Sequence, residues 1–186
     1  MVQYAPGTSF AILLLKSLEA GDSFYVTDQG VTSTYGGSLC NPLSNCANDG
    51  MLIYTAAARV PAGTVLGYSD MTPTGDGTFD LGSTDQLIVF GGSTLYNDGR
   101  REFGCAANWN ADWQPGGFSN NYAEIYSQVP GSGGVALTEG VDCVDGLTGT
   151  RGTYKYYGVA QEQVHGTAAE LRASINDRAH WFTSNT

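Results

Sequence analysis

Short runs dense in β-branched and aromatic residues recur along the chain. "SFYVT" (Ser23–Thr27), "MLIYT" (Met51–Thr55), "TVLGY" (Thr64–Tyr68) and "QLIVF" (Gln86–Phe90) come first. "REFGCA" (Arg101–Ala106), "YAEIYS" (Tyr122–Ser127), "GVALT" (Gly134–Thr138) and "TYKYYG" (Thr153–Gly158) follow. Such residues suit a pleated, half-buried surface, so each run is read as a strand. Turn formers punctuate them: Asp49-Gly50, Pro61-Ala62-Gly63, Gly75-Asp76-Gly77, Asp98-Gly99, Pro115-Gly116-Gly117 and Asp145-Gly146. Many short strands with glycine-rich turns and few helices predict an all-β fold, an antiparallel β-sandwich of jelly-roll-like type.

One segment has helical spacing instead. In "GTAAELRASINDRAHW", Thr167 is followed three residues later by Glu170, the signature of a capping box. Ala168, Leu171, Arg172 and Ile175 fall on one face, with the Arg172 stem expected along the sheet. The spacing predicts one C-terminal α-helix from about Thr167 to Asn176, closed by Asn176-Asp177, after which Trp181-Phe182 return to the core.

The run "FAILLL", Phe10 to Leu15, is six residues long and ends at Lys16. It is too short to span a bilayer and reads as a buried strand. No basic stretch precedes it and no cleavage motif follows, so it does not read as a signal peptide. The chain opens on the strand-like "MVQY", and the expectation is a single domain over 1–186, a processed or excised piece of a longer protein whose targeting signal lies elsewhere.

A chain of 186 residues with 41% hydrophobic content suffices for one core. Charged residues make up only 14% of it, about half the usual share, and the net charge is −10. With a pI near 4.3 the chain lacks the clustered Lys and Arg that phosphate binding needs, so nucleic acid is not an expected partner. The same charge repels anionic lipid surfaces, and no membrane insertion is expected.

The four cysteines are Cys40, Cys46, Cys105 and Cys143. "CNPLSNC" closes a small turn-rich loop, which suits a local disulfide. Zinc would want CxxC pairs or nearby histidines, and the histidines are only His165 and His180. Of the three pairings, Cys40–Cys46 with Cys105–Cys143 is favoured, and it implies an oxidising compartment. Four buried thiols are the alternative.

Asp22 and Asp28 bracket the strand at residues 23–27 and raise the question of chemistry. Asp at a strand entrance or exit bonds nearby backbone N–H groups, so turn punctuation is the favoured reading for both. The rival is calcium, which takes six to eight oxygens. "DMTPTGDGTFD" offers Asp70, Asp76 and Asp80 around a glycine-rich loop, without EF-hand spacing. Other cofactors are not expected.

Catalytic constellations are weak. No GxSxG occurs, and both histidines flank the C-terminal helix, where packing or surface roles are commoner. Eighteen acids allow many carboxylate pairs, so a glycosidase reading has no specificity. "NWNADW" places Trp109 and Trp113 near Tyr122 and Tyr126. Exposed, these rings would stack on sugars; core packing is the favoured role. No Asn-x-Ser/Thr sequon is present.

The order of segments adds a resemblance. "SFAILLLKSLEAGDSFYVTDQGV", "NDGMLIYTAAARVPAGTVLGYSD", "FDLGSTDQLIVF" and "GTAAELRASINDRAHWFTSN" together resemble a domain of large secreted bacterial, cyanobacterial and algal proteins. In that family a strand leads into an "AGT…TD-x-G" pattern, then "YTA…V-x-AGT", "GDQ" and a closing "GT-A-EL…I-x-D-x-x-NW". This chain departs by starting late, by inserting "GGSLCNPLSNCAN", and by carrying His180-Trp181 where Asn-Trp is usual. The resemblance implies a β-sandwich of cell-surface or matrix proteins and brings no catalytic residue with it. The matching positions Asp28, Gly63, Asp85, Gln86, Glu170 and Trp181 are explained by turns, caps and packing. Algal members imply a further option, a subunit tiling into a sheet or shell within an organelle.

The functional expectation is a non-enzymatic structural or interaction module that self-associates as a homo-oligomer or lattice, or binds a surface polysaccharide. The alternative is a lectin-like carbohydrate-binding domain, with or without calcium. A hydrolase ranks third. The expected compartment is extracellular or cell-surface.

Overall fold

Strand β3 (Ser23–Thr27) sends Phe24 and Val26 to one side and Tyr25 and Thr27 to the other, the period-two alternation its sequence requires. On one flank it pairs antiparallel with β6 (Met51–Thr55), matching Tyr25 to Ile53 and Val26 to Leu52. On the other it pairs antiparallel with β9 (Gln86–Gly91), matching Val26 to Val89 and Tyr25 to Phe90. Rings reinforce both seams: Phe24 and Tyr54 lie 5.4 Å apart, and Tyr25 stacks on Phe90 at 5.3 Å.

The computed structural model describes residues 3–5, 9–28, 31–32, 38–39, 50–75, 77–81, 86–91, 102–109, 143–147, 154–157 and 166–184. The strands at 122–127 and 134–138 expected from sequence lie outside these. The other described strands are β1 (Gln3–Ala5), β2 (Ser9–Leu13), β4 (Val31–Thr32), β5 (Ser38–Leu39), β7 (Val65–Gly67) and β8 (Thr72–Thr74). They are completed by β10 (Glu102–Trp109), β11 (Cys143–Leu147), β12 (Tyr154–Tyr157) and β13 (Trp181–Ser184). One sheet runs β13-β12-β1-β2-β7, a second β11-β10-β9-β3-β6-β8, and β4 and β5 form a two-stranded ribbon.

The expected all-β sandwich is the fold, and its described pairings are antiparallel with one exception. Strands β10 and β11 run parallel, with Ala106 opposite Cys143 and a shift in register between Ala107 and Trp109. A parallel pair needs a long crossover rather than a hairpin, and 33 residues separate the two strands (110 to 142).

The core lies between the sheets. Phe10, Ile12 and Leu66 from the five-stranded sheet meet Val26, Leu52, Leu87 and Val89 from the six-stranded one, with Phe79 and Leu81 from the connecting chain. Each such side chain contributes roughly 1.5–3 kcal/mol when fully removed from water. On β9 the opposite-facing residues are buried as well, Ile88 at 0% and Phe90 at 1% exposure. That two-sided burial is why "LIVF" is a continuous apolar run instead of an alternating one.

Helix α1 (Ala168–Asn176) is close to its expected span. Its buried residues are Ile175 and Asn176, Leu171 is half-buried, and Ala168 is exposed. The helix therefore meets the sandwich through its C-terminal half, not along the whole face its periodicity marks.

Candidate functional site

The exit of β3 forms a buried polar junction. Thr27 Oγ1 donates to the Gly50 carbonyl at 2.7 Å, and the Gly50 N–H donates to Asp28 Oδ1 at 2.7 Å. The second carboxylate oxygen, Oδ2, accepts the Asp80 N–H at 2.8 Å. Asp28 is only 3% exposed, and both of its oxygens accept backbone N–H groups. Such bonding satisfies a desolvated carboxylate, so the junction is structural chemistry.

The turn reading holds for Asp22, whose Oδ2 accepts the Glu19 N–H at 2.8 Å. For Asp28 it needs correction: the partners lie 22 and 52 positions away, so this is a long-range staple between three chain segments and not a local turn. Gly50 permits the junction. A Cβ at this position would lie 2.0 Å from the Phe79 backbone nitrogen, a separation only glycine allows.

Of the proposed calcium ligands, Asp76 lies outside the described residues. The Asp70 carboxylate accepts the Gly67 N–H at 2.8 Å, and Asp80 meets Asp28 through its backbone. Among the described residues no group of three or more His, Cys, Asp or Glu side chains converges on one point.

At the C-terminal segment the capping box forms as its spacing predicts. Glu170 N–H donates to Thr167 Oγ1 at 3.3 Å, and Thr167 N–H returns to Glu170 Oε2 at 2.8 Å. The Thr167 backbone N–H, followed by its hydroxyl, holds the exposed Glu170 carboxyl below its ordinary value of 4.5. The other end of α1 is closed by side chains. His180 Nδ1 lies 3.0 Å from the Ser174 carbonyl oxygen and 3.1 Å from Ser174 Oγ, and Trp181 Nε1 donates to the Ile175 carbonyl at 2.7 Å. The Ser174 carbonyl also accepts the Asp177 N–H at 3.3 Å, and the indole supplies the partner of the Ile175 carbonyl, so His180 and Trp181 both have structural roles.

Trp109 closes β10, while Trp113, Tyr122 and Tyr126 lie outside the described residues. Cys40 and Cys46 also lie outside them. Cys105 and Cys143 sit on neighbouring strands one register position apart, since Cys143 pairs with Ala106.

Sheet edges are a further feature able to engage a partner. Among the described strands β7 pairs with β2 alone, matching Leu13 to Val65 and Ile12 to Leu66. Because Leu14 N–H bonds the Thr64 carbonyl, alternation turns the backbone groups of Val65 and Gly67 outward. Asp70 takes the outward N–H of Gly67, closing one end of the edge. Val65 is left, 54% exposed, the only large hydrophobic exposed to that degree among the described residues. The corresponding edge of the second sheet, β8, carries Pro73, which has no N–H to offer. Nothing in the local sequence marks Val65, whose exposure depends on where β7 falls in the sheet. Comparison of the chain with protein-family models, with curated proteins and with solved structures finds no match.

Proposed function

We propose that this chain is a non-enzymatic interaction module that associates with copies of itself or with a surface polymer. The observation that carries the reading is the β7 edge, where the backbone of Val65 faces outward beside an exposed apolar side chain. Natural proteins usually guard such an edge with lysine or proline. This chain has lysine only at 16 and 155. The edge is three residues long and capped at Gly67, so it favours weak, repeated contacts over a tight dimer. A net charge of −10 opposes close approach, and association should strengthen as salt screens it. The resemblance to secreted surface and matrix domains agrees with such a role.

Sedimentation velocity at micromolar concentration, from low to physiological salt, tests it. Larger species should grow with salt, and Val65→Lys should reduce them. A strictly monomeric chain at every salt concentration would instead favour the carbohydrate-binding alternative, to be pursued with glycan titrations.

A further inference from the structure

The interior between the sheets stays open beneath the C-terminal half of α1, as a cavity of about 230 Å³. Its walls are mainly apolar and come from three directions, Ile12 from β2, Phe24 and Val89 from β3 and β9, and Ile175 from the helix, with the polar Asn176 beside Ile175. Lys16 and Arg172, both exposed, line it as well. Among the described residues no acidic side chain does, in a chain of 18 acids and 8 bases. The charged groups among the described lining residues are therefore cationic, opposite in sign to the net charge of the molecule.

Apolar walls give water too few partners to occupy such a space well, whereas a hydrocarbon restores the missing dispersion contacts. A cavity of about 150 Å³ holds benzene, so this one has room for roughly nine heavy atoms. The Lys16 ammonium at the margin favours an anion there, since an ammonium pairs with a carboxylate through a charge-assisted hydrogen bond. We propose that the cavity binds a monocarboxylate of about eight carbons in all, with a short apolar tail. The tail lies between the sheets against Ile12, Phe24, Val89 and Ile175, and the carboxylate lies at Lys16. This site is independent of the β7 edge.

Octanoate is the probe, followed by calorimetry and by backbone amide shifts of labelled protein, with 1-octanol as the uncharged counterpart. Octanoate should bind in the micromolar range, with shifts concentrated at residues 12–16, 24, 89 and 172–176, and at least about tenfold more tightly than octanol. Lys16→Glu should weaken octanoate about tenfold or more and leave octanol unchanged. Lys155→Glu, on β12, applies the same change in net charge and should leave both unchanged. Ile175→Phe should weaken both by filling the space, with circular dichroism verifying that each variant keeps the fold. No octanoate binding up to millimolar concentration would overturn the proposal. So would shifts lying elsewhere, octanol binding as tightly as octanoate, or Lys16→Glu without effect.

Discussion

The N–H of Gly50 donates to Asp28 Oδ1 at 2.7 Å, tying the exit of β3 to the entrance of β6. The same carboxylate holds Asp80 through its other oxygen at 2.8 Å, so one buried side chain fixes three separated segments. An amide cannot replace it. Asn has one acceptor oxygen, and its NH2 would face a backbone N–H. Asp28→Asn is expected to cost about 2–4 kcal/mol, since a buried donor loses its partner and a second meets a like group. Urea unfolding should show a lower midpoint with an unchanged slope.

Gly50 has little room to vary. Adding one methyl places it against the backbone of residues 78 and 79, which cannot rotate away as a flexible side chain would. Gly50→Ala should destabilise by about 3 kcal/mol, at the upper end of overpacking costs, and a thermal melt will read it. A variant melting within 1 °C or so of the parent would contradict the close approach.

The α1 cap titrates. Glu170 has a folded-state value lowered by its bonds to Thr167, so its contribution is full above the ordinary value of 4.5. It is lost as pH falls through the lowered value. The stability difference between the parent and Glu170→Gln should therefore be constant near neutral pH and shrink toward zero in acid. Denaturant titrations at several pH values test the sign; a difference that grows as pH falls would contradict it.

Trp181 is both a packing residue and a donor. Its ring packs against the core cluster while Nε1 donates to Ile175, whose carbonyl has no intrahelical partner. Trp181→Phe keeps most of the apolar contact and removes the donor, for an expected loss of about 1–2 kcal/mol. Hydrogen exchange should quicken in the last turn of α1 more than in β3 or β6.

What the sequence alone determined is what depends on neighbours along the chain. Ser23–Thr27 and Met51–Thr55 are strands with the bounds their alternation marks, because side-chain direction follows from period two. The capping box formed because Thr167 and Glu170 are brought together by one turn of helix. Asp22 is a turn acceptor for the same reason, its partner being three residues away.

Tertiary structure decided the rest. Asp22 and Asp28 look alike in sequence, yet only Asp28 is buried, because β6 and the segment at Asp80 converge on it. The requirement for glycine at position 50 comes from Phe79, and the exposure of Val65 comes from the end position of β7 in its sheet. Lys16 and Arg172 border one cavity although most of the chain separates them. Local periodicity is set by backbone geometry and is legible over a few residues. Convergence of distant segments depends on which strands pair and in what register, and single positions do not encode it.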